Sequence, residues 1–254
     1  MLRPKISVIT ATFNSAETIG HCVDSVNAQT HPNVEHVIVD GVSADRTLDI
    51  IGRRGFDNIV IDSRGDSGIY DALNRAIGMV TGDVVGFLHS DDYFPNNKVL
   101  VEVANAFNNP AVDMCYGDLA YVAKSDPSRV LRRWRAGEFS LFKLSMGWMP
   151  PHPTFYVRRE VMVRYLFNLH YQISADYDAM LRMLTDEKLE VVYLRKELVH
   201  RRVGGASNKN LRNLLLKTGE DLQIIRDQNI GGLITLLLKN LRKIPQFLFT
   251  ERIE

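Results

Sequence analysis

Cysteine is scarce in this chain, and so is any imbalance of charge. Cys22 and Cys115 are the only two cysteines in 254 residues. They lie far apart and match no metal spacing, so a disulfide scaffold and a cysteine-rich zinc site are both excluded. They read as reduced, buried thiols of a cytoplasmic protein. Lys and Arg number 31 against 30 Asp and Glu, a net charge of +1. That balance excludes a nucleic-acid binder driven by bulk charge. No run reaches the roughly 18 uncharged apolar residues of a membrane span. The stretch Lys5–Thr12 is too short for the apolar core of a signal peptide. No G-x-G-x-x-G follows the first apolar segment, which disfavours a dinucleotide fold, and the absence of G-x-x-x-x-G-K-[ST] excludes a P-loop. No repeat or low-complexity segment stands out.

What is present is alternation, in a chain 45% hydrophobic and therefore able to build a core. Ile6–Ala11 is a β-branched strand, followed by a helix over about 16–29, with Asn14 and Glu17 at capping-box spacing. Val34–Val39 is a second buried strand and ends in Asp40-Gly41. Ser43 is placed to cap the next helix, with Asp45 in its first turn. A strand over 58–62, a loop Gly65-Asp66-Ser67-Gly68 and a helix over 69–79 come next. An uncharged apolar run from Val84 then ends in the pair Asp91-Asp92. Strand and helix thus alternate four times, which predicts an open, mostly parallel sheet. Right-handed crossovers place all the strand carboxyl ends on one edge. Thr10, Asp40, Asp62-Ser63-Arg64 and Asp91-Asp92 then share that edge, where such folds bind ligands. Two adjacent carboxylates repel each other and need a reason. A divalent cation held by oxygen ligands, itself holding a diphosphate, is one; a solvated turn with an Asp helix cap is the other.

Beyond residue 110 the pattern changes. Strands are expected over 112–116, 118–123 and 130–135, with local pairing that suggests antiparallel or mixed additions to the sheet. Pro150-Pro151-His152-Pro153 is stiff and extended and leads into a strand over 154–157. Ser174 starts a helix that carries Asp176 and Asp178 in its first turn. A strand over 189–194, a glycine hinge at Gly204-Gly205 and a helical remainder complete the chain.

In this order and spacing, several segments resemble the family 2 glycosyltransferases with the GT-A fold. They are Ile6–Asn14, Val37–Gly41 with Ser43–Thr47, Gly68–Asn74, Phe87–Asp92 and Ser174–Asp178. The wording Gly-Ile-Tyr-Asp-Ala and the late Gly-Gly-Ala-Ser look like the branch that builds bacterial surface polysaccharides. The resemblance implies an α/β fold: a GT-A type, Rossmann-like mixed sheet flanked by helices. Residues 1–207 would form the catalytic domain, with 1–110 the nucleotide-sugar half and 111–207 the acceptor half. Residues 208–254 would be a helical C-terminal extension. The implied activity is inverting, metal-dependent sugar transfer to a saccharide or lipid-linked acceptor. The donor would be a nucleoside diphosphate sugar, with UDP-sugars first to test.

Carried over residue by residue, Thr10, Ala11, Asn14, Asp40, Arg64, Asp66 and Asp91 fall on the donor side. Asp91 and Asp92 match the end of the family's metal motif, with Asp92 the direct ligand of Mg²⁺ or Mn²⁺. His200 is a further candidate near the metal. His89, Gly41 and Leu73 depart from the family pattern, where Asp, Asp and Arg are common; Arg64 or Arg75 could supply the charge lost at Leu73. Asp176 matches the catalytic base, with Ala175 in place of the usual acidic neighbour. An acceptor hydroxyl needs such a group to take its proton. His152 could meet the acceptor or cap a strand. Trp148 and Trp134 could face the acceptor or pack in the core. These departures leave a second class open: a non-catalytic nucleotide-sugar-binding or scaffold protein.

The tail has leucines at helical spacing with Lys239, Arg242 and Lys243 beside them. It suits a helix lying on the cytoplasmic face of the inner membrane, or else a helix packed on the catalytic domain or on a second subunit of a homodimer. Pro245 should end or kink that helix.

Overall fold

A computed structural model describes residues 3–124, 126–203 and 211–242. Four parallel strands form its first part: β1 (Ile6–Thr12), β2 (Val34–Asp40), β3 (Ile59–Ser63) and β4 (Val84–Phe87). Their order in the sheet is β3-β2-β1-β4. The chain runs outward from β1 to β3 and then returns to the other side of β1, so a crevice opens at the carboxyl ends of β1 and β4. Helices α1 (Ile19–Asn27), α2 (Thr47–Gly52) and α3 (Ile69–Ile77) make the crossovers. Successive strand residues face opposite sides. Ile9, Val37 and Val39 pack with Leu73 and Ala76 of α3, whereas Ile6, Val8 and Ile38 pack with Val23 of α1. β1, β2 and β4 are buried on both faces and largely apolar, with Glu35 and His36 of β2 as buried exceptions, whereas the edge strand β3 leaves Val60 and Ile61 exposed.

The second part extends the same sheet rather than starting another. It comprises β5 (Asp92–Tyr93), α4 (Val99–Phe107), β6 (Met114–Val122), β7 (Val130–Trp134), α5 (Leu141–Ser145), a 3₁₀ turn (His152–Thr154), β8 (Tyr156–Arg158), α6 (Arg159–Arg164), α7 (Ala175–Leu184) and β9 (Val191–Arg202). The order continues β4-β8-β6-β9-β5, with β7 on β6. Two expected strands on either side of Gly117 merge into β6. The strand expected over 189–194 runs on to Arg202 as β9, because parallel pairing with β6 carries the backbone past the charged Arg195-Lys196-Glu197. That extension brings Arg201 opposite Asp92 in antiparallel register. The hinge expected at Gly204-Gly205 and the boundary at 207/208 lie outside the described residues.

Helices α8 (Leu211–Asp227) and α9 (Leu233–Leu241) pack against the preceding α/β part. Ile224, Ile225 and Leu236 belong to the same buried cluster as Leu181 of α7. Gly147 has φ +76°, and a Cβ there would lie 2.4 Å from the backbone nitrogen of Lys239. Only glycine permits both that conformation and that approach. Among the described residues no helix is long and apolar enough to cross a membrane.

Candidate active site

The loops after β1 and β2 are tied together by their own polar side chains. Asn14, at φ 48°, is not the expected helix cap. Its Oδ1 accepts the Ala44 backbone N–H, and its own N–H donates to Ser43 Oγ. The helix instead begins at Ile19, with no side-chain cap. Ser43 does not cap α2 either. Its hydroxyl and its N–H both donate to the fully buried Asp40, whose Oδ2 also accepts from Ser63 Oγ. Ala11 lies at the end of β1, half-buried. Thr10 turns inward: its hydroxyl donates to the Leu88 carbonyl at 2.7 Å and lies 2.9 Å from His36 Nε2. Its side chain therefore cannot line the crevice.

Arg64 does not stand free. It forks onto Asp62, with Nε at 2.7 Å from Oδ1, and Arg75 Nε bonds the same carboxylate at 2.6 Å. Two cations on one carboxylate leave a net positive charge beside β3, while Leu73 is buried in the core. Asp66 lies over Gly41: a Cβ at Gly41 would come within 3.1 Å of Asp66 Oδ2. Asp66 thus fills the space next to Gly41.

Asp92 is fully buried, and neither carboxylate oxygen has a hydrogen-bond partner. Burial pushes its pKa up to about 8; Arg201 opposes the shift and Asp91 adds to it. A buried, unpartnered carboxylate is costly and fits a site that a cation completes. Among the described residues no three His, Cys, Asp or Glu side chains converge as a metal cage. One or two carboxylates plus the phosphate oxygens of a ligand are, however, a sufficient set for Mg²⁺. His89 is kept neutral by burial, with Arg201 and His152 nearby, so it brings no positive charge against that cation.

His200 does not join this site. Neighbours along a strand point to opposite faces. Asp92 pairs with Arg201, and Tyr93 with His200. His200 accordingly turns away, toward Tyr93 and Glu197, and burial pulls its pKa down to about 4. Arg201 is the residue that sequence reasoning missed. Burial opposes its charge, but the charges of Asp92, Tyr121, Asp91 and Asp176 around it raise its pKa on balance. The sequence signal was a two-residue Arg run read only as part of a basic cluster. Arg202 works from the other face: it donates to the Asp91 carbonyl at 2.8 Å and lies over the Tyr93 ring.

Asp176 sits in the first turn of α7, its side chain 31% exposed. Its Oδ1 accepts the Tyr177 N–H at 2.8 Å and lies 3.1 Å from Tyr70 Oη, whose one proton points to the Ile173 carbonyl at 2.6 Å. Its Oδ2 lies 3.7 Å from His152 Nδ1. His152 stacks on Phe87 at 5.2 Å and approaches His89 at 5.9 Å. The imidazole thereby connects the end of β4 to α7. Its Nε2 is buried without a partner. Tyr70 comes from the Gly68–Asn74 motif, and Asn74 bonds the backbone of Phe167 reciprocally. The motif thus fastens α3 to the second half of the chain. Asp178 is buried and bonds Arg182, a structural pair at i,i+4. Trp148 is a core residue: its Nε1 donates to the Ala136 carbonyl at 2.6 Å and its ring meets Tyr116 edge-on. A buried indole needs such a partner, so it is not free to face an acceptor.

The comparisons agree with this architecture. Residues 7–167 match the domain described as glycosyl transferase family 2. A PGL/p-HBAD biosynthesis glycosyltransferase of Mycobacterium bovis (strain BCG / Pasteur 1173P2) is 32% identical over 228 residues, covering 85% of this chain and 84% of the relative. Among solved structures, S. aureus TarS 1–349 in complex with UDP superposes with a TM-score of 0.66 at 20% identity, over 96% of this chain and 70% of that one. The mannosyltransferase PcManGT from Pyrobaculum calidifontis, in complex with GDP-Man and Mn2+, gives 0.66 at 19% identity, over 98% and 74%. These likenesses reach past the matched domain to the strand bearing Arg201 and the helix bearing Asp176. With its GT-A fold and the domain match together, this chain belongs to glycosyltransferase family 2 and is a glycosyltransferase.

Proposed function

We propose that the enzyme transfers a sugar from a nucleoside diphosphate sugar to a hydroxyl of a saccharide or lipid-linked saccharide, with inversion at the anomeric carbon. One observation carries this reading. Asp92 is buried with neither carboxylate oxygen hydrogen-bonded, and the strand pairing sets it opposite the cation Arg201. The similar proteins add support, since TarS holds UDP and PcManGT holds GDP-Man and Mn2+ in their complexes. UDP-sugars are the first donors to test.

In this reading the nucleoside lies against the joined loops after β1 and β2, near Ala11, Asn14 and Asp40. Arg64 and Asp66 border it. Asp92, with Asp91, would hold Mg²⁺ or Mn²⁺, which offsets negative charge on the leaving diphosphate. Arg201 adds a second positive charge there, fixed by the β5–β9 pairing and needing no reorganisation. Asp176 takes the proton of the attacking hydroxyl. Tyr70 Oη borders that carboxylate at Oδ1, and His152 borders it on the other side. Inversion follows when the base acts on the face opposite the leaving group. The exposed side of α9 faces the cytoplasmic membrane surface, where a lipid-linked acceptor would be found.

The test is Asp92→Ala. Wild type should show a UDP-dependent rise in melting temperature that needs Mn²⁺ and disappears in EDTA. The variant should keep its fold and lose both that rise and sugar transfer. Full transfer by Asp92→Ala in EDTA would overturn the proposal.

A further inference from the structure

Glu220 and Asp221 are adjacent on α8, and both are buried, 8% and 3% exposed. Adjacent buried carboxylates require partners, and theirs lie around the helix that bears Asp176. Glu220 Oε1 accepts the N–H of Gln172 at 2.8 Å; its Oε2 accepts those of Ile173 at 3.0 Å and Ser174 at 2.9 Å. Three consecutive amides thus converge on one carboxylate, immediately before α7. Asp221 accepts Ser174 Oγ at 2.8 Å and pairs with Lys217 and with Lys239 of α9. Ser174 makes no side-chain cap on α7, because its hydroxyl is committed to Asp221. Glu220 supplies the order that a cap would have given.

The same loop controls two groups of the site. Ile173 accepts the Tyr70 hydroxyl at 2.6 Å, and that hydroxyl also lies 3.1 Å from Asp176. Asp176 follows Ser174 by two residues. Moving residues 172–174 would therefore shift the carboxylate and also its hydroxyl partner. Hydrogen bonds to an ionised acceptor are the strong ones, so three of them make a stiff clamp.

We propose that Glu220 is a positioning residue for catalysis. Its carboxylate gathers the amides of 172–174 and so holds Asp176 and Tyr70 in productive geometry, making the C-terminal helices part of the catalytic machinery. The inference rests on the reading of Asp176 as the base.

The test compares Glu220→Gln, Glu220→Ala, Asp176→Asn and the double variant Glu220→Ala/Asp176→Asn in the full chain. Turnover is read as nucleoside diphosphate release from UDP-glucose, UDP-N-acetylglucosamine and GDP-mannose with Mn²⁺. Glu220→Ala should lower kcat by about 10²-fold, the scale of a 1 Å misplacement, while the donor KM holds. Glu220→Gln keeps an acceptor on one oxygen and should fall between wild type and Ala. In the Asp176→Asn background the Ala change should cost little more, because both act through one group. Additive losses, or a changed donor KM with kcat held, would overturn the positioning role. Hydrogen exchange of wild type and Glu220→Gln supplies a readout independent of turnover. Amides of 172–178 should exchange faster in the variant, with the remaining segments unchanged; unchanged exchange at 172–178 would overturn the clamp. Full turnover by Asp176→Asn would instead defeat the reading of the base, whatever Glu220 does.

Discussion

Asp92, at the start of β5, and Asp176, in the first turn of α7, are both carboxylates, yet their surroundings differ. Asp92 is fully buried and its carboxylate meets no hydrogen-bond donor, so its negative charge is tolerable only beside cations. Asp176 reaches solvent, accepts one amide and lies beside the Tyr70 hydroxyl, an arrangement that suits the proposed base. Replacing Asp176 by Asn keeps the shape and removes the basicity. Donor affinity should stay within a few-fold, while turnover falls by roughly 10²–10⁴, the scale of general-base loss. Isothermal titration with UDP and Mn²⁺, beside single-turnover kinetics, separates the two effects. Loss of nucleotide binding with unchanged chemistry would make Asp176 a donor ligand. Asp92 carries a second consequence. Its side chain makes no hydrogen bond, so Asp92→Ala in EDTA should melt no earlier than wild type by more than the small cavity explains.

At the scale of elements, α9 has two faces with different partners. Thr235, Leu236 and Lys239 are buried, whereas Leu233, Ile234, Leu237 and Leu241 are 59%, 75%, 61% and 56% exposed. Lys239 is therefore not available to lipid headgroups as its spacing suggested. Its ammonium pairs with Asp221 at 2.8 Å and lies over the Tyr177 ring. Lys243, Pro245 and the apolar residues after them lie outside the described residues. The exposed leucines are what a bilayer interface would take. Removing α9 would also strip the contacts at Gly147, Ser145 and Met146, so point substitution is the cleaner test. Full-length protein should float with vesicles containing anionic lipid, and Leu237→Glu/Leu241→Glu should not. A wild type that stays in the pellet fraction as a dimer, broken by the same pair of substitutions, would assign this face to a second copy instead.

The whole molecule is expected to lose stability in acid, for reasons lying in the sheet rather than in the site. His36 is buried in β2, and burial pulls its pKa from the ordinary 6.5 down to about 3. The Thr10 proton goes to Leu88, so His36 Nε2 must carry a proton and donate to Thr10. Glu35 is pushed upward by burial but held down at about 2, against an ordinary 4.5, by hydrogen bonds from Ser7, Thr81 and Lys5. Both pKa values are depressed in the folded state. The unfolded chain then binds more protons between the folded and unfolded values, and stability falls as pH falls. The His36 contribution is complete above pH 6.5 and is lost progressively toward 3; that of Glu35 is complete above 4.5 and is lost toward 2. The His36 share is on the order of a few kcal/mol, at about 1.4 per pKa unit. Melting temperatures from pH 7 to 4 should drop, and less steeply for His36→Gln once its own neutral-pH cost is subtracted. A flat profile for wild type would refute this.

Apolar periodicity and β-branched runs identified the four parallel strands and the polar ends that share one edge, because a strand buried on both faces, as β1, β2 and β4 are, leaves a nearly continuous signal. Motif order identified the family and placed Asp92 and Asp176. Other features depend on which segments become neighbours. β9 continues through Arg195-Lys196-Glu197 only because β6 is there to pair with it, and that length alone brings Arg201 to Asp92. His200 and Arg201 are equivalent in a linear reading; strand alternation sends one to each face. Trp148, Thr10 and Lys239 carry polar groups that could serve a ligand, and each is instead taken up by an internal partner. Local composition records what a side chain can do, and the packed fold decides which partner reaches it first.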